Sequence, residues 1–171
     1  MQLDWWKDIY TALKAADVRQ VGYVPDAGHS ALIEACLADD DMRTVVLTTE
    51  EEGISLLAGA WLGGQRGALL MQSSGVGNCI NMMSLAATCQ FPVPIFVTMR
   101  GLWREFNPWQ KVMGQATNAH LTMAGFSTLT ATMPEHVGAL AGETLDTAYD
   151  GGQMSALLLH QCLVPVKTFG K

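Results

Sequence analysis

Short runs of β-branched and aliphatic residues alternate with helical stripes along the whole chain. That alternation limits the fold more than any other feature. Trp6, Ile9, Tyr10, Leu13 and Ala16 recur at helical spacing, which predicts an amphipathic helix from Asp4 to Asp17 with Asp4 as its N-cap. Strands are expected at Gln20 to Val24, Arg43 to Thr48, Ala68 to Gln72, Pro94 to Met99, Phe126 to Ala131 and Ser155 to His160. Further helices are expected at Ser30 to Leu37, Glu51 to Leu62, Asn78 to Cys89 and after Pro134, where Val137, Leu140, Thr144 and Ala148 form the stripe. This order forces right-handed crossovers, so the expected class is α/β: three layers, a six-stranded parallel sheet with helices on both faces. Residues 1–171 read as one domain. Arg100 to Thr117 is the one long stretch expected to be irregular, and loops of that length are often functional. The tail from Cys162 to Lys171 is short.

Charged residues make up only 15% of the chain and hydrophobic ones 49%, which predicts a large apolar surface meant for another protein. The net charge of −6 leaves no basic stripe and excludes nucleic acid as a partner. No apolar run reaches the ~20 residues of a membrane span. Met1-Gln2-Leu3-Asp4-Trp5 lacks a leader's charged and apolar regions, so the expected location is cytoplasmic, with no membrane partner. Cys36, Cys79, Cys89 and Cys162 are scattered without CxxC spacing, which indicates free thiols rather than metal ligands.

Two strand ends carry the chemistry. Thr49-Glu50-Glu51-Glu52-Gly53 follows the second strand, and Met71-Gln72-Ser73-Ser74-Gly75-Val76-Gly77-Asn78 follows the third. In an open parallel sheet both lie on the carboxyl edge, where ligands bind. Acids at a helix start favour the macrodipole by ~0.3–1 kcal/mol each when exposed, which is the plain structural reading of the three glutamates. The segment Ile54 to Trp61 is apolar nearly all round, so the helix reads as interior and one acid as buried at its mouth. That arrangement suits proton transfer. The glycines read as a turn allowing close backbone approach to a ligand. They are not a dinucleotide fingerprint, because Ile80 holds the place of the third glycine and the next strand ends Val97-Thr98-Met99 without an acid.

Val24-Pro25-Asp26, Glu50-Glu51-Glu52-Gly53, Ala58-Gly59-Ala60-Trp61-Leu62 and the Met71–Asn78 segment, in that order, resemble the pyrimidine-binding domain of thiamine diphosphate-dependent 2-oxo acid decarboxylases. The likeness is to the sulfopyruvate decarboxylase α subunit and the N-terminal half of phosphonopyruvate decarboxylase, and runs from about Gln20 to Val164. It implies the thiamine diphosphate-binding fold, with thiamine diphosphate and Mg²⁺ as cofactors. It also implies a small anionic 2-oxo acid as substrate, of the 3-sulfopyruvate or 3-phosphonopyruvate type. One glutamate is implied to face N1′ of the aminopyrimidine and to promote loss of the thiazolium C2 proton. Counting back from Ala60-Trp61 selects Glu51, and matching at Gly59 selects Glu50.

Asp26 matches a family aspartate near the reacting centre, and a turn or cap role is its structural alternative. His29, in the same turn, is a candidate for meeting an anionic substrate, against a role as a cap or surface residue. Pro25, Ser73, Ser74, Gly75 and Asn78 are implied to line the pyrimidine pocket. Arg100 and Arg104, with Lys111 nearby, suit a sulfonate or phosphonate through guanidinium forks; packing against a partner is the alternative.

The family holds diphosphate and Mg²⁺ through a Gly-Asp-Gly motif with a later Asn in a second domain, and no Gly-Asp-Gly occurs here. The resemblance therefore implies a hetero-oligomer in which a β subunit supplies the diphosphate and Mg²⁺ half. The alternatives are a carboligase of the same cofactor class, a non-catalytic assembly subunit, and a flavodoxin-like binding domain.

Overall fold

The computed structural model describes residues 4–164 and 166. In chain order it contains α1 (Trp5–Ala15), β1 (Val18–Tyr23), α2 (Ser30–Leu37), β2 (Arg43–Val46), α3 (Glu50–Leu62), β3 (Arg66–Gln72) and α4 (Ser73–Cys89). β4 (Val93–Thr98), α5 (Trp109–Met123), β5 (Ser127–Ala131), α6 (Val137–Tyr149) and β6 (Met154–Leu159) complete it, with short 3₁₀ turns at Pro134–His136 and Gln161–Leu163. The tail expected from Cys162 is described only to Val164 and at Val166; the remainder lies outside the described residues.

All six strands run parallel in the order β2-β1-β3-β4-β6-β5. Every residue of β4 and β6 is buried, as their continuous apolar runs require of strands covered on both faces. One face is covered by α1, α2 and α6, packing Ile9, Leu13, Leu32 and Leu145 onto Val21, Leu70, Phe96 and Leu157. The other is covered by α3, α4 and α5, where Ile54, Leu57, Val76, Met83 and Leu121 meet Leu69, Ile95 and Val97. Burying each such aliphatic or aromatic side chain is worth ~1.5–3 kcal/mol, so these two clusters hold the sheet between its helices.

Four local expectations change. The Asp4 side chain caps nothing; it pairs with Lys7 at 3.1 Å. The stretch from Trp109 is helical rather than irregular. Its buried residues are Gly114, Thr117 and Leu121, so the inward stripe is built mainly from small residues and carries little hydrophobic signal. A Cβ at Gly114 would strike the Arg100 carbonyl, so glycine lets α5 lie against the exit of β4.

α4 begins directly at Ser73, and Gly75 and Gly77 are helical rather than a turn. Neither holds positive φ; instead each admits a neighbour, Glu50 of α3 against Gly75 and Met113 of α5 against Gly77. Finally, α3 is not interior on every side, because Trp61 and Leu62 stand 40% and 76% exposed. Trp61 stacks on Tyr149 with ring centroids 6.1 Å apart.

Residues between β4 and α5 form an anchored loop. Glu105 Oε2 accepts from Arg100 Nε at 2.7 Å, Gln161 Nε2 at 2.9 Å and Gly101 N at 3.2 Å. Its Oε1 accepts from Arg100 Nη2 at 2.6 Å and Asn107 N at 2.9 Å. Gln161 Oε1 in turn accepts from Leu102 N at 2.9 Å and Trp103 N at 3.0 Å. The Glu105 side chain is 2% exposed.

The Arg100 guanidinium, against the opposing effect of burial and helped by the Asn107, Gly101 and Gln161 donors, holds the Glu105 carboxyl down to about 2. A depressed carboxyl contributes stability that is complete above its unfolded value and lost as pH falls through the folded one. Wild type is therefore expected to be more stable than Glu105→Gln at neutral pH. The gap should close as pH falls from 4.5 toward about 2, measured by urea melts across that window.

Candidate functional site

The buried positions of α3 are Glu50, Gly53, Ile54, Leu57, Ala58 and Ala60. Except for Ala60 they repeat at the three- and four-residue steps of one helix face, so Glu50 belongs to the stripe that packs on the sheet. Glu51 and Glu52 are turned out by the ~100° that each residue advances. The three glutamates then do three different things. Glu50 is 8% exposed and points inward. Glu51 is exposed. Glu52 Oε2 accepts from Thr48 N at 2.8 Å, tying down the helix entry. The expectation that Glu51 faces inward is thus corrected to Glu50. The helix starts one residue earlier than its apolar run indicates, and the stripe through Gly53 and Leu57 includes Glu50.

The first turn of α4 closes over this acid. Asn78 Nδ2 donates to Glu50 Oε2 at 2.8 Å, while Oε1 takes no hydrogen bond from any described residue. A Cβ on Gly75 would collide with the Glu50 carboxyl group, so a side chain there would displace the acid from this position. The N-terminal ends of two helices meet at the carboxylate: that of α3, which bears it, and that of α4. One oxygen is held, the other is open, and a glycine backbone lies alongside. This pattern fits a flat nitrogen heterocycle whose ring nitrogen would meet Oε1.

A second acid lies at the same carboxyl edge. Asp26 Oδ2 accepts from Thr98 Oγ1 at 2.6 Å and Gly28 N at 3.1 Å, and Oδ1 accepts from Gln72 Nε2 at 3.2 Å. Burial alone would raise its carboxyl. The neighbouring His29 and the hydrogen bonds from Thr98, Gln72 and Gly28 outweigh burial and hold it below the ordinary value. Gln72 Oε1 also accepts from Ser74 Oγ at 2.9 Å, so Asp26, Gln72 and Ser74 form one chain of hydrogen bonds. Gln72 and Thr98 are register partners at the ends of β3 and β4, which is why both reach the same carboxylate. Sequence reasoning did not single out either residue. Their place at strand ends on the ligand-binding edge was the available signal.

The remaining candidates divide. Ser73 is fully buried; its Oγ accepts from Arg100 N at 3.1 Å, and its carbonyl accepts from Thr117 Oγ1 at 3.4 Å. It fastens the loop root to α4 rather than facing a cavity. Pro25 is exposed at the turn before Asp26. His29 is 1% exposed, with Nε2 donating to the Phe96 carbonyl at 3.0 Å and Nδ1 without a hydrogen-bond partner among the described residues. Burial pushes its ring below the ordinary histidine value, against Asp26 and the Phe96 and Met71 carbonyls, which pull the other way. A ring closed to solvent, with its one placed N–H on a backbone carbonyl, does not meet an anion directly, which corrects that expectation.

Arg100 is only 13% exposed and is spoken for by Glu105. Arg104 is exposed, with its guanidinium 4.9 Å from the centre of the Trp103 ring. Glu105 and Gln161 were also missed by sequence reasoning: Gln161 reaches the loop from 56 to 59 residues away, and the local partners of Glu105 sit in a stretch without periodic pattern.

The family model of the thiamine pyrophosphate enzyme, N-terminal TPP binding domain, matches residues 6–119. The sulfopyruvate decarboxylase subunit alpha of Methanothermobacter thermautotrophicus is 32% identical over 160 residues, covering 93% of this chain and 97% of that protein. The same subunit of Methanocaldococcus jannaschii is 35% identical over 128 residues, 74% of this chain and 76% of that one. Phosphonopyruvate decarboxylase of Streptomyces viridochromogenes is 34% identical over 112 residues, 64% of this chain but 28% of its own length.

Among solved structures, a chain of 2-oxoglutarate:ferredoxin oxidoreductase from Magnetococcus marinus superposes with a TM-score of 0.73 at 11% identity, over 93% of this chain and 29% of that chain, a likeness of fold. The matched family domain, with a relative aligned over nearly its full length, shows the family: the chain belongs to the thiamine pyrophosphate enzyme family, as its N-terminal TPP binding domain.

Proposed function

We propose that the chain is the pyrimidine-binding subunit of a heteromeric thiamine diphosphate-dependent decarboxylase of small anionic 2-oxo acids. The observation that carries this reading is Glu50, buried at the mouth of α3 with one oxygen held by Asn78, the other open, and Gly75 alongside. Bound thiamine diphosphate would supply the electron sink for loss of CO₂. Glu50 Oε1 would meet N1′ of the aminopyrimidine and hold a proton there, and Asn78 fixes the carboxylate's orientation. Gly75 and Ser74 would border the ring. Asp26, set by Gln72, Thr98 and Gly28, is the second acid of the reaction, on the substrate side. The loop after β4 supplies a cation for the substrate's anionic tail through Arg104, since Arg100 is engaged by Glu105.

The second subunit is inferred from what this chain lacks and what it exposes. No Gly-Asp-Gly occurs in the sequence to hold the diphosphate and Mg²⁺, so those groups are assigned to a β subunit. Trp109, Val112 and Met123 on α5 stand 81%, 74% and 76% exposed, an apolar surface suited to a permanent neighbour. Relatives named as an alpha subunit agree with a heteromer. No helix among the described residues is long and apolar enough to cross a membrane, and the four cysteines are free, in keeping with a cytoplasmic complex.

Glu50→Gln is expected to lower turnover of 3-sulfopyruvate by about 10²-fold or more, the scale of a lost acid–base group, with the melting temperature nearly kept. Glu51→Gln should stay within about threefold of wild type, as exposed substitutions do. Steady-state CO₂ release by the reconstituted complex checks both, and a silent Glu50 beside an inactivating Glu51 reverses the assignment. The chain alone should release no CO₂ from 3-sulfopyruvate or 3-phosphonopyruvate, and gain activity on mixing with a Gly-Asp-Gly-bearing subunit and thiamine diphosphate. An unchanged rate on mixing would favour the assembly role.

A further inference from the structure

We propose that Arg104, and not Arg100, reads the anionic group at the far end of the 2-oxo acid, with Glu105 and Gln161 as positioning residues that set the loop for it. The inference rests on the substrate class proposed above. Two carboxylates, Glu50 and Asp26, already occupy this edge, so a substrate with a second negative charge needs a local cation. Arg100 does not provide a free one. Its Nε and Nη2 are engaged by Glu105 at 2.7 and 2.6 Å in a pair almost closed to solvent, and its charge is answered within the fold. Arg100 is a strut.

Arg104 has the opposite character. It pairs with no carboxylate among the described residues, and its guanidinium lies over the Trp103 ring, which leaves its N–H edge for an oxyanion. Its backbone holds φ +47, the left-handed region that side-chain-bearing residues enter at a cost.

The neighbours on both sides enforce that conformation. Glu105 is gripped by five donors, from Arg100 Nε, Arg100 Nη2, Gly101 N, Asn107 N and Gln161 Nε2. Trp103 is held through its N–H on Gln161 Oε1. Arg104 is thus presented between two fixed points, without the ordering cost of a free loop. The loop root is tied to the candidate site because Arg100 N donates to Ser73 Oγ in the first turn of α4, two residues from Gly75. A sulfonate or phosphonate, with three oxygens, matches the guanidinium fork. Lys111, the other exposed lysine or arginine after β4 among the described residues, has neither the aromatic stack nor the anchored flanks.

The test uses the complete complex of this chain, its partner and thiamine diphosphate. 3-Sulfopropanoate carries the sulfonate and the carboxylate but no keto group, so its binding is read by calorimetry apart from turnover. Arg104→Ala is expected to weaken that binding by about tenfold or more, and Arg104→Lys by less, the scale of hydrogen bonds to charged groups. In turnover of 3-sulfopyruvate, KM should rise by a similar factor while kcat changes by less than about threefold. Arg100→Ala should instead lower the melting temperature, which Arg104→Ala leaves in place.

The proposal is overturned if wild type does not bind 3-sulfopropanoate, if Arg104→Ala retains its affinity, or if Lys111→Ala loses it in place of Arg104→Ala. A complex that binds the probe through Arg104 but releases no CO₂ from any 2-oxo acid removes the decarboxylase reading and keeps the anion site. An active decarboxylase indifferent to Arg104 does the reverse.

Discussion

The close approach of Gly75 to Glu50 is the contact on which the rest of the candidate site depends. It joins the first turns of α3 and α4, which follow β2 and β3, the two strands that flank β1 and end on the same edge of the sheet. A methyl group at position 75 would occupy the space of the Glu50 carboxyl group. With glycine there, α4 comes close enough for Asn78 to bond Glu50 while still packing Val76, Cys79 and Met83 into the core behind it. The acid's position is thereby fixed by two helices and the sheet beneath them. This is the form of support a proton-transferring group needs, since its orientation is set by packed elements rather than by a mobile side chain.

The same economy of fixed elements runs across the edge. Asp26 leaves β1 and is caught by the last residues of β3 and β4, so the turn after β1 is fastened to the centre of the sheet. The loop after β4 is fastened in turn to α4 through Ser73 and to the segment after β6 through Gln161. The elements that frame the proposed reaction are therefore linked by hydrogen bonds among themselves. Only the tips of this frame, such as Trp103 and Arg104, stand out into solvent. Buried charge is placed where it has partners, and exposed charge where a ligand or neighbour can use it.

Much of the fold was legible from pattern. The six strands are where their apolar runs lie, and α1, α2 and α6 are where the stripes indicate, because these elements bury large side chains and so mark themselves. α5 did not mark itself: its inward face is Gly114 and Thr117, chosen to let backbone approach backbone. The glycines after β3 were read as a turn because glycine is commonest there, whereas here they are helical and serve close packing between helices. The choice among the three glutamates was open to a periodicity argument, since Gly53, Ile54, Leu57 and Ala58 share a face with Glu50. Counting from a motif at the far end of the helix instead selected Glu51, which the structure leaves exposed. Asp26 could be named from its place after β1, but its partners Gln72 and Thr98 lie 46 and 72 residues away.

The sequence by itself determined the class of fold, the parallel sheet, the edge on which chemistry is arranged and the family to which its motifs are similar. Those properties follow from local periodicity and from residue order, which one chain carries in full. Only the tertiary structure decided which carboxylate turns inward, which arginine is already neutralised and which histidine is sealed from solvent. Those are matters of a ~100° rotation about a helix axis, or of a partner reached across the fold. Neither is written in any short stretch of residues, because burial and pairing belong to the packed whole.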